Sequence, residues 1–303
     1  MAMLDIRKYA AIDIGSNAIR LLIANVIESS GKPPQFKKSA LVRVPVRLGA
    51  DVFNSKSILD ENIERVNDTM MAFKLLMKTH RVSKYKACAT SAMREAENAK
   101  EVVELVKSNS GVQIDIIDGQ EEAAIIASTD LSDFIKADKT YLYVDVGGGS
   151  TEFTLFHDQK RIVSKSFKIG TVRLLNNMVS QAQWEEAMHW IQYHTSNYDK
   201  IRLIGSGGNI NKIFKLSNTT EGKPLSYLYL IKFYENLKSH TYEERITDLN
   251  LNQDRADVIL PASQIYLSAM KWSNAKHIYV PKIGLSDGII KSIYYNNINS
   301  KAL

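Results

Sequence analysis

The stretch YLYVDVGGGSTEFTL, residues 141–155, sets the reading of the whole chain. A run of strand-forming residues reaches Asp145, three glycines follow (Gly147, Gly148, Gly149), and after Ser150, Thr151 and Glu152 the apolar strand resumes. Glycines carry no Cβ, so their backbone N–H groups can crowd around one anion. Ser150 and Thr151 can add hydroxyl donors. A bare carboxylate beside phosphate would repel it. Asp145 becomes intelligible if it holds a divalent cation, usually through water, that bridges to phosphate oxygens. The plainer reading is a tight turn capped by Asp145, and it accounts better for one such loop than for two.

A second loop lies 132 residues earlier. That shift lays Tyr9 on Tyr141, Asp13 on Asp145, Gly15 on Gly147 and Ala18 on Ser150. Both copies read strand, Asp, apolar residue, Gly, small polar turn, strand, which indicates an internal duplication. Ser16 and Asn17 are the side-chain donors of the first loop, and Asp13 is its acid. Strands are expected at 8–16, 19–27, 36–47, 85–91 and 112–117, then at 140–146, 151–157, 161–168, 201–205 and 276–280. Helices are expected at 58–80, 92–108, 119–134, 171–179, 181–197, from about 208, 226–238, 254–272 and from about 286. In the first of these Ile63, Val66, Met70, Phe73 and Met77 fall three and four apart. Strands alternating with helices make an α/β fold, and the order strand-strand-strand-helix-strand-helix occurs twice.

A third glycine loop, Gly205-Ser206-Gly207-Gly208, joins a strand to a helix N-terminus, which suits an anion. Its spacing is not GxGxxG, so no dinucleotide fold is expected. Glu121 and Glu122, in DGQEEAAIIAS, open a helix; acids there suit the helix dipole, and one of them could instead serve as a general base. Arg94 stands in a first helical turn, where the dipole disfavours it. It is explained by bidentate contact with an anion or by a salt bridge to Glu95 or Glu97. Arg20 and Arg173 are weaker candidates of the same kind.

Cys88 is the only cysteine, which excludes a disulfide framework and a cysteine-based zinc site. The apolar stretch Tyr9–Ile27 contains Asp13, Asn17 and Arg20, so it reads as neither a secretory leader nor a membrane span. A cytoplasmic protein is expected. The formal charge of +6 favours anionic partners, but no dense Lys/Arg block or basic–aromatic interleaving points to nucleic acid.

With these residues in hand, the chain resembles the exopolyphosphatase and guanosine pentaphosphate phosphohydrolase family, within the actin, sugar-kinase and Hsp70-like ATPase superfamily. The resemblance rests on AAIDIGSNAIRLLIA, ACATSAMREAEN, IIDGQEEAAIIAS, YVDVGGGSTEFTL, FKIGTVRL, LIGSGGNI, DRADVILPASQIY and LSDGIIKSIY, in one order through nearly the whole chain. It implies two ribonuclease-H-like domains with a cleft between them, placed at 1–122 with 285–303 and at 123–284. It implies hydrolysis of a terminal phosphoanhydride of inorganic polyphosphate or of the 5′ end of guanosine pentaphosphate, with Mg2+ or Mn2+. On the family pattern Glu122 is the catalytic glutamate, Asp145 and Glu152 match the two acids of the glycine loop, and Arg94 matches the arginine after the Ala-Thr motif. The catalytic set expected is therefore Glu122 with Glu152. The cation is expected on Asp145, Glu152 and Asp13. Phosphate contacts are expected from Ser16, Asn17, Arg20, Arg94, Gly147 to Thr151, Gly207 and Gly208.

Two features depart from the family pattern. Ala18 stands where Ser or Thr is usual, so the first loop lacks one hydroxyl contact, and the sequence stops at Leu303, short of the helical region that longer members carry. Family members often pair, so a homodimer is admitted. A kinase of the same superfamily would need an adenosine pocket. A non-catalytic sensor of guanosine penta- or tetraphosphate could dispense with acids that are all present here.

Overall fold

The computed structural model describes residues 4–127, 129 and 134–299; of the helix expected over 119–134, residues 128 and 130–133 lie outside them. The chain divides into two compact units, Met1–Thr129 with Leu285–Leu303, and Asp130–Gly284.

The first unit runs β1 (Asp5–Ile14), β2 (Ile19–Glu28), β3 (Gln35–Val44), α1 (Leu48–Ser55), α2 (Asp60–Thr79), β4 (Lys84–Ala89), α3 (Ser91–Glu95), α4 (Ala99–Ser110), β5 (Ile114–Ile116) and α5 (Gly119–Ala127). Its sheet has the order β3-β2-β1-β4-β5, with β1, β2 and β3 antiparallel and β4 and β5 parallel to β1. The last six residues of β1, Tyr9 to Ile14, are all buried. A strand covered on both faces reads as a continuous apolar run, and here it delivers Asp13 at its end.

The second unit runs β6 (Thr140–Val146), β7 (Thr151–His157), β8 (Lys160–Phe167), α6 (Thr171–Leu175), α7 (Gln181–Thr195), β9 (Ile201–Ser206), α8 (Gly208–Leu216), β10 (Leu225–Ser226), α9 (Tyr227–Ser239), α10 (Tyr242–Thr247), α11 (Gln253–Ala256), α12 (Ile259–Trp272) and β11 (His277–Tyr279). Its sheet order is β10-β11-β9-β6-β7-β8. From the central strand outward, β8-β7-β6-β9 repeats β3-β2-β1-β4, with the same two antiparallel pairs and one parallel pair. The turns repeat as well. Gly15 N–H donates to Ala18 O at 3.1 Å, and Gly147 N–H to Ser150 O at 2.9 Å, the same bond displaced by 132 residues. A final helix, α13 (Leu285–Asn299), packs on β1, β2, β4 and α5.

Several helices differ from the sequence expectation, among them α10, which no expected helix covers. Residues 48–55, where no helix is expected, form α1, which buries Leu48, Val52 and Phe53. The helix expected over 92–108 breaks into α3 and α4. The Asn98 side chain brackets Ile58 by accepting from its N–H (3.0 Å) and donating to its C=O (2.8 Å), while Glu97 N–H donates to Lys56 O at 2.8 Å. These tertiary bonds hold Ala96 in an extended conformation. The helix expected over 254–272 divides before Ile259, because Pro261 has no N–H for the carbonyl four residues back and its ring would collide with it.

Among the described residues no helix is long and apolar enough to cross a membrane. Cys88 is fully buried, and burial pushes its thiol up to about 12. At pH 8 the folded protein should therefore fail to react with a disulfide reagent such as DTNB and should release one equivalent of chromophore only after denaturation.

Gly288 fixes the approach of α13 to α5, since a Cβ there would lie 2.2 Å from Ile125 O. Gly288→Ala should lower unfolding free energy by about 1–3 kcal/mol, read as a reduced denaturation midpoint.

Candidate functional site

In the second unit the glycine turn sits on the start of α6. Thr171 N–H donates to Gly147 O (3.0 Å), Val172 N–H to Gly148 O (2.9 Å) and Arg173 Nε to Gly149 O (2.8 Å). In a trans peptide the N–H lies opposite the preceding C=O. With three successive carbonyls drawn to α6, the following N–H groups are turned away from it. Among the described residues no acceptor takes the N–H of Gly148 or Gly149. Gly170 makes this seat possible, because a Cβ there would lie 2.3 Å from Gly148 O and 2.4 Å from Gly149 C. Arg173 is buried beneath the loop as a brace.

The two hydroxyls expected to reach phosphate are committed within the unit. Thr151 is 0% exposed and donates to Ile169 O at 2.5 Å. Ser150 Oγ donates to Glu152 Oε1 at 2.7 Å. Both hydroxyl protons are thus directed within the unit, and the backbone N–H groups of Gly148 and Gly149 are the donors of this loop that are not. Glu152 is 3% exposed and lies directly across the β6–β7 pair from Asp145. Carboxylates so opposed repel each other unless a cation or proton lies with them.

The third glycine loop follows β9, whose Ser206 pairs with Asp145 in parallel register. Gly207 has φ 115°, and a Cβ there would meet Val146 O at 2.9 Å, with Asp145 Oδ1 and the Tyr266 hydroxyl each at 3.5 Å. Glycine is thus required on both steric and conformational grounds. The buried Tyr266 hydroxyl donates to Ser206 O; burial, and after it the charge of Asp145, push its phenol well above the ordinary range. Arg255 Nη1 donates to Gly208 O at 2.5 Å. No local motif in the sequence marks Tyr266 or Arg255. Both lie in DRADVILPASQIY, a stretch whose only signal was its part in the resemblance.

In the first unit the glycine turn is seated in the same way on α1. Gly49 N–H donates to Ser16 O (2.7 Å) and Arg47 N–H to Asn17 O (3.1 Å). The acids, however, differ between the units. Arg20, which falls on Glu152 in the repeat, stands across from Asp13 and pairs with it at 3.5 Å. Burial raises the Asp13 carboxyl above its usual range, and Arg20 partly opposes this. Asp13 thus meets a cationic side chain where the second unit sets a second acid. Among the described residues no three His, Cys, Asp or Glu side chains gather as a metal cluster.

The two acids of α5 separate cleanly. Asp118 Oδ1 accepts from the N–H groups of Gln120 and Glu121, both at 2.8 Å, and so fixes the start of the helix. Glu121 is exposed and faces Lys86 at 3.5 Å. Glu122 is 8% exposed, and its Oε2 lies 3.7 Å from Arg94 Nη1. Arg94 is anchored by bonds to Ile117 O (2.7 Å) and Ser91 Oγ (3.3 Å). The arginine expected either to clamp phosphate or to pair with Glu95 or Glu97 is therefore placed against Glu122.

Two α/β units, each opening on a three-stranded antiparallel meander whose glycine turn is seated on the next helix, define the two-domain actin-like ATPase class of fold. Residues 35–296 match the model of the Ppx/GppA phosphatase family, and the chain belongs to that family. It is 33% identical over 216 residues to a bifunctional 3-dehydroquinate synthase/phosphatase of Fusobacterium nucleatum, a match covering 66% of this chain and 32% of that protein. A putative exopolyphosphatase of Haemophilus influenzae is 23% identical, with 96% of this chain and 93% of that protein covered. A guanosine-5′-triphosphate,3′-diphosphate pyrophosphatase of Photobacterium profundum is 30% identical, with 93% and 58% covered. The chain thus spans about a third of the Fusobacterium protein and somewhat over half of the Photobacterium one. The crystal structure of the Aquifex aeolicus member of the Ppx/GppA family superposes with a TM-score of 0.74 at 26% identity, covering 97% of this chain and 99% of that one.

Gly170→Ala would force the Gly148–Gly149 backbone off its seat. It should lower the unfolding free energy by about 1–3 kcal/mol, read as a reduced denaturation midpoint.

Proposed function

We propose that this protein is a phosphohydrolase that releases the terminal phosphate of inorganic polyphosphate or the 5′ phosphate of guanosine pentaphosphate. The observation that carries this reading is the second-unit turn. Its carbonyls are engaged by α6 and Arg173, which leaves the N–H groups of Gly148 and Gly149 for an anion beside Asp145 and Glu152. Family membership and the named relatives support the reaction class.

Catalysis of phosphoryl transfer is mainly positioning and electrostatics. In this reading the N–H groups of Gly148 and Gly149 cradle phosphate oxygens, with further contacts from the Gly207–Gly208 turn. Asp145 and Glu152 fit a magnesium or manganese ion, which commonly takes one or two protein carboxylates and completes its shell with water and substrate phosphate. When bound, the ion supplies positive charge to the phosphate oxygens. Glu122 is assigned as the base that orients and deprotonates the attacking water. Its neighbour Glu121, exposed and turned to Lys86, takes no part. Arg94, fixed by Ile117 and Ser91, holds the Glu122 carboxylate in place.

Phosphate release with magnesium from short polyphosphate, long polyphosphate and guanosine pentaphosphate tests the proposal. Glu122→Gln should lower the rate by about 100- to 10,000-fold, and Glu121→Gln should leave it within about twofold. No release from any of the three by the folded wild type would overturn the reading. Retention of more than about a tenth of the rate by Glu122→Gln would overturn the base assignment.

A further inference from the structure

Glu152 is held from two sides. Ser150, on the same turn, and Ser166, directly across on β8, both donate to its Oε1, each at 2.7 Å. The β6–β7–β8 register therefore sets Asp145, Glu152 and Ser166 in one cross-strand row. Directly opposed residues project to the same face of a sheet and lie close enough for their side chains to meet. An oxygen that accepts two hydroxyl protons has its outward lone pairs engaged, which fixes the rotation of the carboxylate. Ser166 lies outside the glycine loop, on an exposed stretch of an edge strand. From there its hydroxyl reaches a buried acid. Lys165, the residue before it, alternates to the other face of the sheet, where its ammonium pairs with Glu186 at 2.8 Å.

We propose that Ser166 is a positioning residue for Glu152. Its hydroxyl, with that of Ser150, captures Oε1, so that the carboxylate acts through its second oxygen, beside Asp145. This rests on the reading in which Asp145 and Glu152 hold the cation, and it assigns the contact that orients one of those two acids. Groups that orient a ligand from behind typically control affinity or activity by about 10- to 100-fold.

The test measures manganese binding by calorimetry, alongside phosphate release, for the full chain as wild type, Ser166→Ala and Ser166→Thr, each also in a Glu152→Gln background. Ser166→Ala should weaken manganese binding about tenfold or more and lower turnover, with the unfolding midpoint unchanged. Ser166→Thr, which keeps the hydroxyl, should restore both. In the Glu152→Gln background Ser166→Ala should have no further effect, because a residue acting through Glu152 cannot act without its carboxylate. Equal losses in both backgrounds, or unchanged manganese binding in Ser166→Ala, would overturn the assignment, as would a wild type that binds no manganese. A wild type that binds manganese and responds to Ser166→Ala but releases no phosphate would overturn the phosphohydrolase reading and leave the role of Ser166 standing.

Discussion

The structure depends on the seating of a strand–glycine–strand turn on the first N–H groups of a later helix. A helix N-terminus has backbone donors with no partner inside the helix, and a tight turn has carbonyls that its own strands cannot satisfy. Each unit joins these two needs: Thr171 and Val172 meet Gly147 and Gly148 in one, and Gly49 meets Ser16 in the other. The bonds are short because glycine stands where a side chain would collide, at Gly170 against Gly148 and at Gly49 against Ser16 and Phe53. Once the carbonyls are held, the orientation of the N–H groups follows from peptide geometry, before any ligand arrives.

Duplication supplied the same frame twice, and the two copies then took different chemistry. At equivalent positions across the hairpin, one unit sets Arg20 against Asp13 and the other sets Glu152 against Asp145. The first pair is internally neutralised. The second concentrates negative charge beside a turn that offers N–H donors, a combination that suits a phosphate arriving with its cation. The glutamate proposed as base belongs to neither turn. Glu122 sits on α5, where Asp118 fixes the helix start and the helical repeat sends Glu121 outward to Lys86 and Glu122 inward to Arg94.

Much of this was legible in the primary structure, because it is written in local pattern. The apolar runs ending in Asp13 and Asp145, the displacement by 132 residues, the three glycine loops and the Glu-Glu pair are all short-range features. Helix α1 is legible in principle, since Leu48 and Val52 are spaced for one helical face, but it is only eight residues long and follows closely on a strand, so its periodic signal is weak. The breaks within 92–108 and 254–272 have different origins. Pro261 is visible in the sequence and could have divided the second of these, whereas the bracket between Asn98 and Ile58 joins residues 40 apart and leaves no local mark.

The sequence by itself determined the fold class, the repeat, the glycine positions and the residue types available for chemistry, because backbone freedom and hydrophobic period are properties of neighbouring residues. Only the tertiary structure decided which polar groups face one another. It turned Thr151 and Ser150 inward, placed Arg94 on Glu122 and Arg20 on Asp13, and brought Ser166 to Glu152 and Tyr266 to Ser206. A hydroxyl or guanidinium can donate wherever an acceptor lies within about 3 Å, and strand register and helix docking, set by the packing of the whole unit, decide which acceptor that is.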